Sequence, residues 1–435
     1  MAMTDLRVIV ADQPLATLSQ GTGGRLRLTY DDAWRRSTHA FPLSLSLPLA
    51  EDDHRHNAIK NYLWNLLVEQ PMAREELARR FGVSPANPFA LVTHVGEDLA
   101  GAVQMVPVDA VERLQKREGV VPISAAKLAN HLDRLQRSPG AMQIDAGSDA
   151  GYFSLAGQQP KKALCWMGGR WYEPRGRTPS THIIKPAASW LDAPVENEHF
   201  CLRLARAAGL KSVTSQIVTV GAQRAVVVER YDRVRLIDGA RARLDTRGGK
   251  VHRVHQEDFC QVFAMRPEEK YQERGGPGMR DIMRRLQGSA RPEADRMAFM
   301  RACAFNYLIA GVDAHAKNFS ILIGDGGIYR LAPLYDIMSA LAYDHDYYCK
   351  LAMSIGGESL WRKIGPAHWR AEARACGYDD AAAVEHVRSL AAALPAHASA
   401  TLAECRDSGL ETPLLANIVD ALADRCGALA ADFTA

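Results

Sequence analysis

Gly311-Val312-Asp313-Ala314-His315-Ala316-Lys317-Asn318 is followed, eighteen residues after Asn318, by Asp336. Asp313 and Asn318 stand five apart. That is the separation of a phosphotransferase catalytic loop, where an Asp takes the acceptor's proton and an Asn holds a metal. Phe319–Ile323 reads as a strand, Gly324–Gly327 as a turn and Ile328–Leu331 as a second strand. An antiparallel pair of this kind returns Asp336 toward Asn318 whatever its register. Mg²⁺ takes hard oxygen ligands and keeps positions for phosphate oxygens, so the Asp, Asn, Asp series points to Mg²⁺-nucleotide chemistry. A single Asp beside a turn is ordinarily structural; the triple with its hairpin carries the reading.

Upstream, Thr181-His-Ile-Ile-Lys185-Pro186 reads as a strand ending in a lysine. A lysine in an apolar, β-branched run needs a partner for its charge. Nucleotide phosphates supply one in kinases, with a helix Glu behind; a strand-end lysine can also reach out to water. The next helix, from Pro194, offers Glu196 and Glu198. Phe200, Leu202 and Leu204 do not share one helical face, so the inward Glu is not fixed by periodicity, and Glu198 is preferred. Phe153 to Leu164 is a small-residue loop entering a strand, with backbone N–H groups and a lysine, Lys161 or Lys162, suited to cradling phosphates. It is neither a Walker A sequence nor a protein-kinase glycine loop. Ala225–Val228 runs into Glu229-Arg230-Tyr231-Asp232-Arg233, which fits an adenine-binding hinge and equally an ordinary core strand.

The 435 residues allow two to three domains or a bilobal enzyme with an added module. A hydrophobic content of 47% supports a large core, and the net charge of +3 neither demands nor excludes an acidic partner. Eight scattered cysteines without a Cys-x-x-Cys pair indicate buried thiols rather than zinc or a disulfide framework. The start, Met1-Ala-Met-Thr-Asp-Leu-Arg, lacks the basic region and apolar core of a signal peptide. No apolar run approaches the ~20 residues that cross a bilayer. Cytoplasm, with no membrane association, is the expected location. His252 and His255 read as surface or helix-start residues, and His315 as a group that orients the catalytic loop or acts directly.

Residues 1–108 read as β-rich with a few short helices, 109–231 as a nucleotide-binding lobe and 232–435 as mostly helical. A helix with acidic N-terminal signals opens at Pro292 and runs through Met297, Met300, Phe305 and Leu308 into the catalytic loop. Two segments, Arg233 to Arg253 and Arg280 to Arg296, are basic; the first reads as a hairpin able to hold an acidic substrate or DNA, or simply as a solvated loop.

Together these segments resemble the HipA family of bacterial serine/threonine kinases, the toxin partners of HipB antitoxins, over roughly residues 1 to 355. Phe41-Pro-Leu-Ser-Leu-Ser-Leu-Pro48-Leu49 is similar to the family's N-terminal signature, and Ser154-Leu-Ala-Gly-Gln-Gln-Pro-Lys161 to its phosphate loop. Thr181 to Lys185, Val195 to Cys201, Glu229 to Arg233, Gln256-Glu-Asp258, Asp313 to Asn318 and Tyr335-Asp336 match in order. Gln158 stands where Ala is commoner, no His-Arg-Asp or Asp-Phe-Gly triplet is present, and the helix Asn61–Leu67 diverges in its ending.

The resemblance implies an α+β fold: a bilobal, protein-kinase-like architecture with a β-rich N-terminal subdomain and a mostly helical C-terminal lobe. It implies ATP and Mg²⁺ as cofactors, Asp313 as catalytic base, and Asn318 with Asp336 as metal ligands. Lys185, Glu229, Tyr231, Ser154, Ala156, Gly157, Lys161, His315 and Lys317 would bind ATP, with Glu198 pairing the lysine. Ser154 would be an inhibitory autophosphorylation site. The implied substrate is an aminoacyl-tRNA synthetase, glutamyl-tRNA synthetase first, with blocked translation, growth arrest and persistence as the outcome. A HipB-like helix-turn-helix antitoxin and operator DNA are the implied partners. Two other readings stand beside it: a small-molecule phosphotransferase, and a protein acting mainly as co-repressor with such an antitoxin.

Overall fold

Leu128, Leu132 and Leu135 recur at the spacing of one helical face, and the helix Ala125–Arg137 buries all three. The structure is a computed structural model that describes residues 5–137, 157–188, 190–344 and 346–433. Its described residues fall into two compact units. The first holds residues up to 188 together with 218–267 and 322–328; the second holds 189–217, 268–321 and the residues from 329 onward.

The first unit begins with an antiparallel sheet of β1 (Leu6–Val10), β2 (Gln13–Gln20), β3 (Leu26–Tyr30) and β4 (Gln104–Pro107), in the order β3-β2-β1-β4. In β3, Leu26, Leu28 and Tyr30 are buried while Arg27 and Thr29 are exposed, the period of a strand covered on one face. Three helices accompany this sheet: His56–Trp64, Pro71–Phe81 and Pro88–Val95. The last two start with Pro at the first turn behind a capping side chain, Gln70 and Asn87, where proline's missing N–H costs nothing.

The second sheet consists of β5 (Val120–Pro122), β6 (Lys162–Met167), β7 (Arg170–Pro174), β8 (His182–Pro186), β9 (Ser215–Val220) and β10 (Gln223–Glu229), in the order β5-β7-β6-β8-β10-β9. Leu128, Leu132 and Leu135 pack on it against Leu164, Ile184, Ala225 and Val227. Because side chains alternate across a strand, Ile183 and Lys185 of β8 face away from this helix. Deleting the Leu132 side chain leaves a cavity in that layer. Leu132→Ala is expected to lower stability by about 2–4 kcal/mol, measured by urea unfolding.

Residues 232–267, read from sequence at the start of the helical part, belong to this first unit. The basic segment within them forms β11 (Arg233–Ile237), β12 (Ala240–Ala242) and β13 (Lys250–Arg253), three strands in the order β12-β11-β13 rather than a simple hairpin. Two family-like segments meet here. Glu257 is fully buried and accepts hydrogen bonds from Ser44 Oγ at 2.5 Å and from the Leu45 N–H at 2.8 Å. His255 is also buried, contrary to the surface position expected for it. Its ring stacks on Phe41 at 5.0 Å, and its Nε2 lies 2.9 Å from the Leu43 carbonyl. Burial holds His255 at about 4, so it is neutral.

The second unit is mainly helical: Pro194–Ala207, Met279–Leu286, Pro292–Leu308, Pro366–Ala375, Asp380–Asp407 and Pro413–Asp432. Pro194–Ala207 buries residues all round, Glu196 and Glu198 included, so periodicity could not single out one of them. Pro292–Leu308 carries Glu293 and Asp295 in its first turn, favourable at a helix N-terminus. It buries Phe299, Met300, Phe305 and Leu308. Met297 on the same helix is 43% exposed. The strands Ser320–Ile323 and Tyr329–Leu331 form the expected hairpin around a short turn, with the Ala332 N–H donating to the Ser320 carbonyl at 2.8 Å.

The eight cysteines form no disulfide, and seven are buried. Among the described residues no helix is long and apolar enough to cross a membrane.

Candidate active site

The catalytic-loop segment leaves the buried end of Pro292–Leu308 through a tight turn. Ala310 has φ of 49°, a left-handed conformation that L-residues adopt at a cost. A Cβ on Gly311 would lie 2.4 Å from Asn306 Oδ1, so a larger residue would force the Asn306 amide to move. Asp313 follows with its side chain 65% exposed. Its backbone carbonyl accepts from Asn318 Nδ2 at 2.8 Å and from the His315 N–H at 2.8 Å. The five-residue spacing thus has a structural reason: the Asn318 amide closes the loop on the backbone of Asp313. With Nδ2 engaged there, the Asn318 acceptor atom is Oδ1, the atom type a hard cation takes.

One Asp313 oxygen is also held by a residue that sequence reading missed. Tyr271 Oη donates to Asp313 Oδ1 at 2.6 Å. The Tyr271 ring stands edge-on to His315, with centroids 5.0 Å apart and planes at 84°. His315 Nε2 lies 3.9 Å from the same Asp313 oxygen. Burial drives His315 well below the usual imidazole range, Lys270 and Lys317 push the same way, and Asp336 opposes them. The ring is therefore neutral near pH 7, and its approach to Asp313 is not an ion pair. Its Nδ1 is buried without a hydrogen-bond partner, so His315 does not orient the loop through that atom.

Asp336 is brought to this loop by the hairpin. Tyr335 Oη donates to the Lys317 carbonyl at 2.7 Å and shares a 2.5 Å hydrogen bond with Ser320 Oγ. The neighbours of Asp336 and Asn318 are thereby tied together. Asp336 itself has φ of 56°, a strained conformation for a non-glycine residue of the kind that collects at functional sites. The following residues are clamped. Asn197 and Ser339 exchange two hydrogen bonds, at 2.8 and 2.9 Å, and Ser339 Oγ donates to the Ile309 carbonyl at 2.7 Å. The helix that carries Glu198 is thus fastened, one residue earlier, to the segment that carries Asp336. No cluster of three or more His, Cys, Asp or Glu side chains suited to a metal occurs among the described residues. Asn318 and Asp336 instead offer a sparse oxygen set, which suits Mg²⁺ that keeps waters and phosphate oxygens.

The remaining predicted residues lie in the first unit. Lys162 pairs with Ile184 across β6 and β8, and Ala163 with Ile183. Lys161 therefore precedes the pairing at the end of β8 where Lys185 stands. Alternation places both lysines on the face away from Ala125–Arg137, and both are buried. Lys162 points the other way, with its ammonium 2.8 Å from Glu173 Oε1. Gly157 adopts φ of +112°, and a Cβ there would meet Lys161 Nζ at 2.5 Å. A glycine cradle with two buried cations on one face fits phosphate groups. Ser154 and Ala156 lie outside the described residues.

The hinge segment has two parts. Glu229 ends β10, and Tyr231 Oη donates to Gln256 Oε1 at 2.6 Å. His182 Nε2 is 4.0 Å from Glu229, but burial lowers His182 to about 4 and leaves it uncharged. Between and beyond them, Arg230, Asp232 and Arg233 are buried. Arg230 grips both oxygens of Asp232, Nε at 3.0 Å and Nη2 at 2.8 Å, the strong bidentate form of this bond. Arg233 and Arg253 both reach Asp98 Oδ1, at 3.0 and 3.2 Å, and Ser180 Oγ donates to Asp98 Oδ2 at 2.5 Å. Burial pushes the Asp98 carboxyl up, but the three guanidinium groups and Ser180 outweigh it and hold the group well below the carboxylate range. The charged part of this motif is an internal ion network, and Asp98 gave no signal in the sequence.

Comparison with known proteins bears on both units. A family model described as the HipA N-terminal domain matches residues 6–106, and one described as the HipA-like C-terminal domain matches residues 153–398. "Putative kinase Y4mE" of Sinorhizobium fredii is 36% identical over 82% of this chain and 82% of its own length. "Serine/threonine-protein kinase toxin HipA" of Shewanella oneidensis is 31% identical over 81% of this chain and 79% of its own. A solved Shewanella oneidensis HipA, in a complex with HipB and its operator DNA, superposes with a TM-score of 0.83 at 26% identity, covering 99% of this chain and 98% of that one.

Proposed function

The chain belongs to the HipA family of serine/threonine kinase toxins, and from that premise we propose that it moves the ATP γ-phosphate onto a serine or threonine of a protein substrate, with Asp313 as base. The observation that carries this is the Asp313 loop, closed by the Asn318 amide and tied through Tyr335 to Asp336. Asp313 takes the proton of the acceptor hydroxyl as its oxygen attacks phosphorus. Lys161 and Lys185 would offset phosphate charge, and His315 and Lys317 would contact ATP. Glu229 and Tyr231 would frame the adenine, with Glu198 as the proposed partner of Lys185. Asn318 and Asp336 would hold Mg²⁺, which when bound would screen the phosphate charge. Ser154, Ala156 and Gly157 are the proposed phosphate-loop contacts to ATP. Phosphate on Ser154 adds about −1.5 to −2 charges beside ATP and switches the enzyme off.

The proposed substrate is an aminoacyl-tRNA synthetase, glutamyl first, acted on in the cytoplasm. A HipB-like antitoxin and operator DNA are the proposed partners, in keeping with the complex in which the Shewanella HipA was solved. To test the substrate, the purified protein and Mg²⁺-ATP are offered a panel of purified synthetases, and phosphosites are mapped by mass spectrometry. We expect phosphoserine or phosphothreonine on one synthetase, with loss of its aminoacylation. Label on none of them, but on aminoglycoside or sugar acceptors, would favour a small-molecule phosphotransferase.

The phosphate cradle makes its own prediction. Gly157→Ala forces a Cβ to 2.5 Å from Lys161 Nζ at a φ that L-residues rarely adopt. ATP affinity is expected to fall by about tenfold or more, read by calorimetric titration with Mg²⁺-ATP.

A further inference from the structure

Tyr271 lies 42 residues before Asp313 in sequence and belongs to no recognised kinase motif. Its surroundings are nonetheless built to present it. The two short turns around it, Pro267–Glu269 and Gln272–Arg274, are fastened from both sides. The Tyr271 carbonyl accepts from the Arg274 N–H at 2.9 Å and the Gly276 N–H at 3.1 Å. The Lys270 carbonyl accepts from the Ala316 N–H at 3.3 Å, inside the catalytic loop itself. Gln272 Oε1 accepts from the Ser354 N–H at 2.7 Å. The side chain is fixed as well, edge-on to the buried His315 and with Lys270 Nζ 5.6 Å and the Arg274 guanidinium 5.4 Å from its ring centroid.

An exposed carboxylate on a loop samples several rotamers, and a base that must meet a hydroxyl in one geometry loses rate by doing so. We propose that Tyr271 is a positioning residue: its phenol holds Asp313 Oδ1 and so fixes the orientation in which the carboxylate meets the acceptor hydroxyl. The inference rests on Asp313 being the base. The neutral His315 contributes a fixed wall to the Tyr271 ring and adds no charge to this arrangement.

The test compares wild type, Tyr271→Phe, Tyr271→Ala and Asp313→Asn in steady-state phosphotransfer, with kcat and KM for ATP separated. Thermal melts confirm that each variant is folded. For Tyr271→Phe we expect kcat to fall by about five- to fiftyfold with KM for ATP within about twofold. A Tyr271→Phe enzyme with wild-type kcat overturns the proposal, and if Tyr271→Ala is then impaired, the ring rather than the hydroxyl matters. An active Asp313→Asn enzyme would show instead that the underlying assignment of the base is wrong.

Discussion

Asp313→Asn should lower the phosphotransfer rate by about 10²- to 10⁴-fold, the range for removing a positioned general base. Ground-state ATP binding should stay within about twofold, because the substitution removes a proton acceptor and no phosphate-binding group. Stability should change little. The Asp313 side chain is 65% exposed, and its bond from Tyr271 can be made equally to the amide oxygen of an Asn. The loop should keep its shape, since Asn318 and His315 bind the Asp313 backbone rather than its side chain. Single-turnover kinetics, calorimetric ATP titration and a thermal melt on one preparation check all three. A large loss of ATP affinity, or of stability, would mean that Asp313 does something other than accept a proton.

Asp98→Asn should be the most destabilising of the substitutions considered, by about 3–5 kcal/mol. Asp98 is buried and takes hydrogen bonds from Ser180, Arg233 and Arg253, with Arg230 at 3.4 Å. Its loss would leave three guanidinium groups around Asp232 alone, and an uncompensated buried charge is what makes broken interior pairs costly. The pH dependence follows from the same geometry. The folded carboxyl is held below its unfolded value. Its contribution is therefore complete above about pH 4, the unfolded carboxylate range, and is lost as pH falls toward the folded value. Urea unfolding of wild type and Asp98→Asn between pH 7 and pH 3 should show the two curves converging at the acid end. Parallel curves would place the acid sensitivity elsewhere.

The loop-and-hairpin half of the candidate site was legible as a local arrangement because its residues are close in sequence. Asp313, His315, Asn318 and Asp336 lie on one loop and one hairpin, so spacing and turn chemistry locate them together. Lys161 and Lys185 were legible for a related reason: each stands at the edge of an apolar strand, where a lysine is conspicuous. Tyr271 and Asp98 were not legible. Each contacts its partner across a long stretch of chain, and a Tyr before a glycine-rich turn or an Asp in a loop has no periodicity to betray it. The hinge segment reads from sequence as a hydrophobic strand running into a polar connection, and sequence does not show that Arg230, Asp232 and Arg233 are interior, because Asp98, Ser180 and Arg253, which complete their pairing, lie far away in the chain. Glu196 and Glu198 could not be told apart because their helix is covered on every side, which removes the amphipathic stripe that assigns an inward face. His255 was misplaced because nothing local reveals that Phe41 and Leu43, more than two hundred residues earlier in the chain, will cover it.

The most direct test of the account is transfer from γ-labelled ATP by the purified protein with Mg²⁺, followed by phosphoamino-acid analysis and site mapping, with Asp313→Asn in parallel. The account predicts label on serine or threonine, Ser154 among the sites, and at least a hundredfold less label in the variant. Equal labelling of the variant, or no labelling by unphosphorylated wild-type protein that binds ATP, would contradict it.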